Sequence, residues 1–376
     1  MKPRILFVDD EAKILQGLKR SLRPLRNEWD VDFAVGGAEA LSALETQPAD
    51  VVVSDMRMPG MSGAALLDKV QESFPGTARL VLSGQCEEDN VYRLTRNSHQ
   101  FFSKPCDAER LTEAIRRILT LRDRVTSQSC RTPAAGAAIL PSDPEVEAAL
   151  RVALAAPEPA LPELSGIIAK DPGLAAKLLQ LASSAYFGTG SAVASLTQAL
   201  QRIGVDTLKR LVQDEELPRP LAGNAEAAAI WERARQRARL ARHIGRSEEL
   251  AESAVELAGL AALLLDAGDL LLVTESVADC GAECRAQRAA LSGYLLGLWG
   301  LPQALVDAVA YQDEPAAAPK PEDRLLAVVH AVRHLAASGG SEAVDDGYLA
   351  GLGLDQRLPV WAGVADELRA GAPGDD

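Results

Sequence analysis

Histidine is scarce in this sequence: His99, His243, His330 and His334 are the only four in 376 residues. A hydrolase built around a histidine-rich metal cage therefore has few ligands to draw on. Cysteine is nearly as rare. Five scattered cysteines make no disulfide framework, and the odd number suits free thiols in a reducing compartment. A basic excess is also missing, with 39 Lys and Arg against 53 Asp and Glu and a formal charge of −14. Residues 1–123 hold 17 basic and 19 acidic side chains, which is −2, so −12 falls on the rest. An acidic second part argues against a nucleic-acid partner, because binding phosphates needs a basic face. The start of the chain has no secretory pattern, since Met1 and Lys2 lead straight into a strand. The most apolar stretch, 258–273, is interrupted by Asp266 and Asp269, too short and too acidic to span a bilayer. The expected location is cytoplasmic.

What is present is organised around residues 51–63, VVVSDMRMPGMSG. A short β-branched run ended by Asp55 and turn formers predicts a buried parallel strand that delivers a carboxylate to its C-terminal edge. Asp9 and Asp10 end an earlier apolar run, 5–8; Ser83 ends a later one, 80–82; Lys104 follows 101–103 and precedes Pro105. Four strand ends thus bring three carboxylates, a hydroxyl and an ammonium to the edge where open α/β sheets keep their chemistry. Strands at 5–8, 31–35, 51–54, 80–82 and 101–102 alternate with helical patterns at 14–22, 38–44, 64–70, 91–94 and 111–121. That alternation predicts a doubly wound, five-stranded parallel sheet with helices on both faces over residues 1–123.

The ordered set of Asp9 with Asp10, Asp55 before MRMPGMSG, Ser83, and Lys104 before Pro105 resembles the flavodoxin-like receiver domain of two-component response regulators. The resemblance implies that Asp55 accepts a phosphoryl group from a histidine kinase. Mg²⁺ would be held by Asp9, Asp10, Asp55 and the backbone carbonyl of Arg57. Lys104 would stabilise charge on the transferring oxygens, Ser83 would bond a phosphoryl oxygen afterwards, and Phe101 would be the switch aromatic. Crowded carboxylates call for a counter-cation on physical grounds as well, and magnesium suits an all-oxygen donor set.

Composition changes after residue 123. Residues 126–142, rich in Ser, Ala, Pro and Gly, read as a flexible linker, set here at 124–143. From 144 to 336 only alanine- and leucine-rich helical periods are found, which predicts an all-α bundle. Residues 337–376 read as a C-terminal helical extension ending in a disordered polar tail, 371–376. The words IIAKDPGLAAKLLQLASSAYFG, SLTQALQRIGVDTLKRLV and LSGYLLGLWGLPQALVDAV resemble the HDOD domain, a relative of HD-type metal phosphohydrolases. Ser184 stands where that family usually has asparagine.

An HD enzyme would place a paired His and Asp within AALLLDAGDLL, but Leu265 precedes Asp266, and Tyr311, Gln312 and Asp313 bring no histidine later. Asp266 alone cannot hold a catalytic metal, so no HDOD cofactor is expected and Asp266 reads as a structural carboxylate. Cys280 with Cys284 and His330 with His334 have zinc-compatible spacings that chance also produces. Arg235, Arg239, Arg242 and Arg246 share a helical face, either solvated or turned to an anion. Trp231, Trp299 and Trp361 read as core. The expectation is a phosphorelay response regulator whose second domain acts by protein contact on an unknown downstream protein, without enzymatic activity beyond receiver chemistry. A cyclic-dinucleotide or other phosphohydrolase and a nucleic-acid regulator stand as alternatives, and a homodimer is left open.

Overall fold

The computed structural model describes residues 2–84, 97–185, 187, 193–213, 217–274, 287–336 and 344–370. Five strands, β1 (Arg4–Val8), β2 (Asp30–Ala34), β3 (Val51–Ser54), β4 (Ala78–Ser83) and β5 (Gln100–Ser103), form one parallel sheet in the order β2-β1-β3-β4-β5. Alternation along the central strands decides what each face packs. Ile5, Phe7, Val51, Val53, Leu80 and Leu82 join one core, whereas Leu6, Val8, Val52 and Val81 join the other. Helices α1 (Ala12–Ser21), α2 (Gly37–Thr46), α3 (Gly63–Ser73) and α4 (Ala108–Arg124) flank the sheet. The helical pattern expected at 91–94 lies outside the described residues.

Residues 126–142 do not form an open tether. They contain α5 (Gln128–Gly136), a helix that tolerates Pro133 in its interior and buries Cys130, Ala134 and Ala135. Seryl, glycyl and prolyl composition suggested a coil because the sequence does not show that another layer covers this segment. Cys106 is a free thiol, but Cys130 is disulfide-bonded, against the expectation of free thiols throughout. Spacing along a chain says nothing about which sulfurs meet in space.

The rest of the described chain is helical: α6 (Pro144–Leu154), α7 (Leu161–Ile168), α8 (Pro172–Ser183), α9 (Leu196–Ile203), α10 (Val205–Gln213), α11 (Ala225–Ser247), α12 (Glu252–Leu263), α13 (Ala267–Thr274), α14 (Arg288–Leu298), α15 (Gln303–Ala310), α16 (Arg324–Leu335), α17 (Asp346–Gly351) and α18 (Leu358–Arg369). Glu252–Thr274 passes the length and composition test for a membrane span, yet it is mostly buried inside the bundle and turns at Asp266 between α12 and α13. Trp231, Trp299 and Trp361 are buried, as their apolar neighbours suggested. Residues 371–376 lie outside the described residues.

The two parts share one core. The cluster that begins at Ile5 continues through Leu121, Val125 and Ala135 into Trp299, Leu325 and Trp361. Helix α4 packs on α14 so closely that a Cβ at Gly297 would lie 2.3 Å from Leu121 Cδ1. Gln100 of β5 donates to the carbonyls of Gly297 and Leu298 at 2.9 and 3.1 Å.

Candidate functional site

Asp55 follows β3 directly, and its backbone N–H donates to the carbonyl of Val8, which fixes it beside the end of β1. Asp9 sits one residue beyond β1. Both carboxylates are buried, at 7% and 3% exposure. Lys104, one residue beyond β5, reaches across the edge and donates from Nζ to Asp55 Oδ1 at 2.6 Å and to Asp9 Oδ2 at 2.7 Å. The remaining oxygens are also held: Asp55 Oδ2 accepts from the Arg57 backbone N–H at 2.7 Å, and Asp9 Oδ1 from that of Glu11 at 2.9 Å. Partial burial works against the Lys104 ammonium, but hydrogen bonds and charge from Asp55 and Asp9 outweigh it and raise its pKa above the ordinary lysine value.

The structure thus brings together Asp9, Asp55 and Lys104. Asp10 is exposed beside them, and Arg57 is exposed with its backbone turned into the site. Ser83 ends β4 opposite Ser103 in register, and its side chain lies outside the described residues. Phe101 pairs in register with Val81 and is half-buried against the second core. Two carboxylates, Asp9 and Asp55, face one ammonium here, so negative charge remains for a cation to balance. The donors are oxygens, as magnesium prefers, and that ion needs only one or two carboxylates because it retains water. Among the described residues no three metal-ligating side chains are already converged as a cage. Lys104 occupies the ground between Asp9 and Asp55, so the residues fit a metal whose binding shares that ground with the ammonium.

Comparison with known proteins decides what this edge belongs to. Residues 5–116 match the model of the response regulator receiver domain, and residues 140–289 match that of the HDOD domain. The chain carries a receiver domain followed by an HDOD domain. Among similar proteins are the probable transcriptional regulatory protein TcrX of Mycobacterium tuberculosis, 30% identical over 37% of this chain and 59% of that protein, and the hydrogenase transcriptional regulatory protein HoxA of Cupriavidus necator, 31% identical over 30% and 23%. The chain therefore spans less than two thirds of the length of either relative. Among solved structures, the signal receiver domain of an HD domain-containing protein from Pseudomonas fluorescens Pf-5 is 31% identical over 32% of this chain and 96% of that one, with a TM-score of 0.31.

In the HDOD domain, Asp171 shows what the DPG sequence does. Its carboxylate caps α8 through the Leu174 N–H at 2.7 Å and accepts the Asp143 N–H at 2.6 Å, tying the starts of α6 and α8 together. Burial pushes this carboxyl up to about 7, against the pull of those amides. Gly173 must lack a side chain, because a Cβ would meet the Pro141 carbonyl oxygen at 2.6 Å.

Asp266 is enclosed by guanidinium groups. Arg237 Nη1 donates to it at 2.8 Å and Arg233 Nη2 at 3.2 Å. Burial opposes its charge, but Arg237 and then Arg233 hold the carboxyl below its usual range. The Tyr311 to Asp313 stretch packs beside it, with Gln312 Nε2 donating to the Leu265 carbonyl at 3.3 Å. Sequence reading singled out Arg235, Arg239, Arg242 and Arg246 and missed Arg233 and Arg237, although their i, i+4 spacing on α11 was an equal signal. Three of the four named arginines face acids: Arg235 with Asp143 at 2.8 Å, Arg242 with Glu256 at 3.7 Å and Arg246 with Glu252 at 3.6 Å. His330 engages both ring nitrogens, Nδ1 with the Gln312 carbonyl at 2.7 Å and Nε2 with the Asp345 N–H at 3.0 Å. Its one lone pair is taken, which leaves none for zinc. Cys280 and Cys284 lie outside the described residues.

Proposed function

We propose that the chain is a cytoplasmic two-component response regulator in which Asp55 takes a phosphoryl group from a histidine kinase and the HDOD domain passes the signal on by protein contact. The observation that carries the reading is the Asp55 carboxylate, buried at a strand end with Lys104 Nζ at 2.6 Å and the Arg57 amide at 2.7 Å. In the reaction an Asp55 oxygen attacks phosphorus, the P–N bond to the kinase histidine breaks, and the imidazole nitrogen keeps the electron pair. Lys104 would follow the charge from the carboxylate to a phosphoryl oxygen, the Arg57 amide lies beside the same carboxylate, and Ser83 would bond a phosphoryl oxygen afterwards. Asp9, Asp10, Asp55 and the Arg57 carbonyl would hold Mg²⁺, which when bound neutralises charge on the phosphoryl oxygens.

The HDOD domain is read as a contact module and not a hydrolase. Asp266, the acid left from an HD pattern, is already neutralised by two guanidinium groups, and Leu265 adds no ligand. Transfer of the phosphoryl group from a phosphorylated histidine kinase to the whole chain, and its loss in Asp55→Asn, tests the input half. A search for turnover of cyclic dinucleotides with Mn²⁺, Fe²⁺ or Mg²⁺, expected to find none, tests the other.

A further inference from the structure

Two guanidinium groups of α11 converge on one carboxylate where α12 turns into α13, and they leave hydrogen-bonding capacity unused. Asp266 Oδ2 accepts from Arg237 Nη1 at 2.8 Å and from Arg233 Nη2 and Nε at 3.2 and 3.4 Å. The Arg237 side chain is 5% exposed and that of Arg233 is 43% exposed, so the cluster has a buried floor and an open side. Both arginines stand one turn apart on a 23-residue helix, which fixes their spacing.

Arg237 gives Asp266 only its Nη1. Its Nε is buried without a hydrogen-bond partner, and among the described residues its Nη2 makes no hydrogen bond either. Nε and Nη2 together form the edge with which a guanidinium grips a carboxylate or phosphate through two parallel bonds. Leaving that edge unfilled in a buried arginine is unfavourable, because N–H groups taken out of water need an acceptor. Gln312 adds a second unfilled position. Its Nε2 donates to the carbonyl of Leu265, the neighbour of Asp266, while its Oε1 is buried with no partner.

The charges point the same way. Arg237, Arg233 and Arg333 all act on the buried Asp266, and Arg333 Nε also lies 3.5 Å from Asp313, which is 40% exposed. Asp269 and Arg288, 4.0 Å apart, balance each other. Three guanidinium groups against Asp266 and Asp313 leave one positive charge over, in a chain whose formal total is −14. Burial holds the Arg237 pKa below the usual guanidinium value even against the pull of Asp266, and the charges of Arg333 and Arg233 act in the same direction as burial. A further anion would relieve both the desolvation and the repulsion.

We propose that this cluster is a binding site for a phosphate group, with the Nε and Nη2 edge of Arg237 gripping two of its oxygens, Arg233 adding its charge from the open side, and Gln312 Oε1 accepting from a hydroxyl on or next to the phosphate. Guanidinium groups hold a phosphate without activating water against it, so the site takes up its ligand and does not hydrolyse it. The site belongs to the HDOD domain and does not depend on Asp55.

Calorimetric titration of the whole chain with inorganic phosphate and with adenosine monophosphate, at an ionic strength held constant with chloride, tests it. Saturable binding is expected at one site beyond any that Lys104→Met removes. Arg237→Lys keeps a charge facing Asp266 but loses the two-pronged edge, and it should weaken this binding about tenfold or more. Arg233→Gln, at a partly exposed position, should weaken it several-fold, and it decides the matter if circular dichroism shows that Arg237→Lys does not fold. Phosphate and not chloride should slow hydrogen exchange in 231–239 and 262–268. Tighter binding of adenosine monophosphate than of phosphate would support the site with a nucleotide as its ligand, and equal binding would support it with the phosphate group alone. No saturable binding of either probe, or binding that the folded variants retain at wild-type affinity, would overturn the proposal.

Discussion

Gly63 and Asp55 pack backbone against backbone: a Cβ on Gly63 would lie 2.0 Å from the Asp55 carbonyl oxygen and 2.9 Å from Met56 Cα. The contact comes from the turn after β3, where the Gly63 N–H donates to the Met56 carbonyl at 2.9 Å, and Ser62 then caps α3. Gly63→Ala must push this loop away and carry Asp55 with it. We expect a stability loss of about 1–3 kcal/mol and phosphorylation slowed on the order of 10–100-fold, because misplacing a reacting group is that costly. Denaturant unfolding and the rate of labelling by acetyl phosphate check both, and labelling at the wild-type rate would show that the contact does not position Asp55.

Asp266→Ala should destabilise by about 3–5 kcal/mol, since it leaves the buried guanidinium of Arg237 without the carboxylate that compensates it. Divalent metals should not shift the melting temperature through this group. A neutral substitution, or a Mn²⁺-dependent stabilisation that disappears in the variant, would mean that Asp266 serves a metal.

His99 is placed to make stability fall on the acid side. It is buried where β5 meets β4, α5 and α8, accepting the Arg79 N–H on Nδ1 at 2.9 Å and reaching the Ala135 carbonyl from Nε2 at 2.9 Å. Burial first, then the Arg79 charge, hold its pKa well below the ordinary 6.5, although the Ala135 carbonyl pulls the other way. Above about pH 6.5 both folded and unfolded forms are neutral there and His99 adds no pH dependence. Below it the unfolded chain takes up a proton that the folded chain refuses, so stability drops by up to ~1.4 kcal/mol per pH unit. His99→Gln should flatten the difference between unfolding at pH 7.5 and at pH 5.5. Identical slopes for variant and wild type would contradict this assignment.

Lys104→Met should reduce the rate of phosphorylation by on the order of 10²–10³-fold, the usual cost of removing a charge-stabilising donor. The same change leaves Asp9 and Asp55 without their shared ammonium, so it should also alter Mg²⁺ affinity. Metal titration by calorimetry and a labelling time course separate the two effects, and a wild-type rate would exclude a charge-stabilising role for Lys104.

The sheet was legible because central strands buried on both faces read as short apolar runs closed by acids or turn formers. The site was legible for the same reason: Asp9, Asp55 and Lys104 each follow such a run by one residue. What the sequence concealed depends on neighbours far along the chain. Helix α5 forms despite Pro133 because Cys130, Ala134 and Ala135 are covered, and nothing local announces that cover. The arginines around Asp266 were hidden by equal spacings on α11, since periodicity shows which residues share a face but not what the face meets. The merging of the sheet's core with that of the helical part rests on Gly297 and Leu121, 176 positions apart, whose fit no window of sequence displays.

Intact-mass measurement of the whole chain after incubation with acetyl phosphate and Mg²⁺, for wild type and Asp55→Asn in parallel, tests Asp55 as phosphoacceptor. Wild type should gain a single phosphoryl group, and Asp55→Asn, folded as judged by circular dichroism, should gain none. Equal labelling of the two proteins, or a wild type that takes up no phosphoryl group, would contradict it.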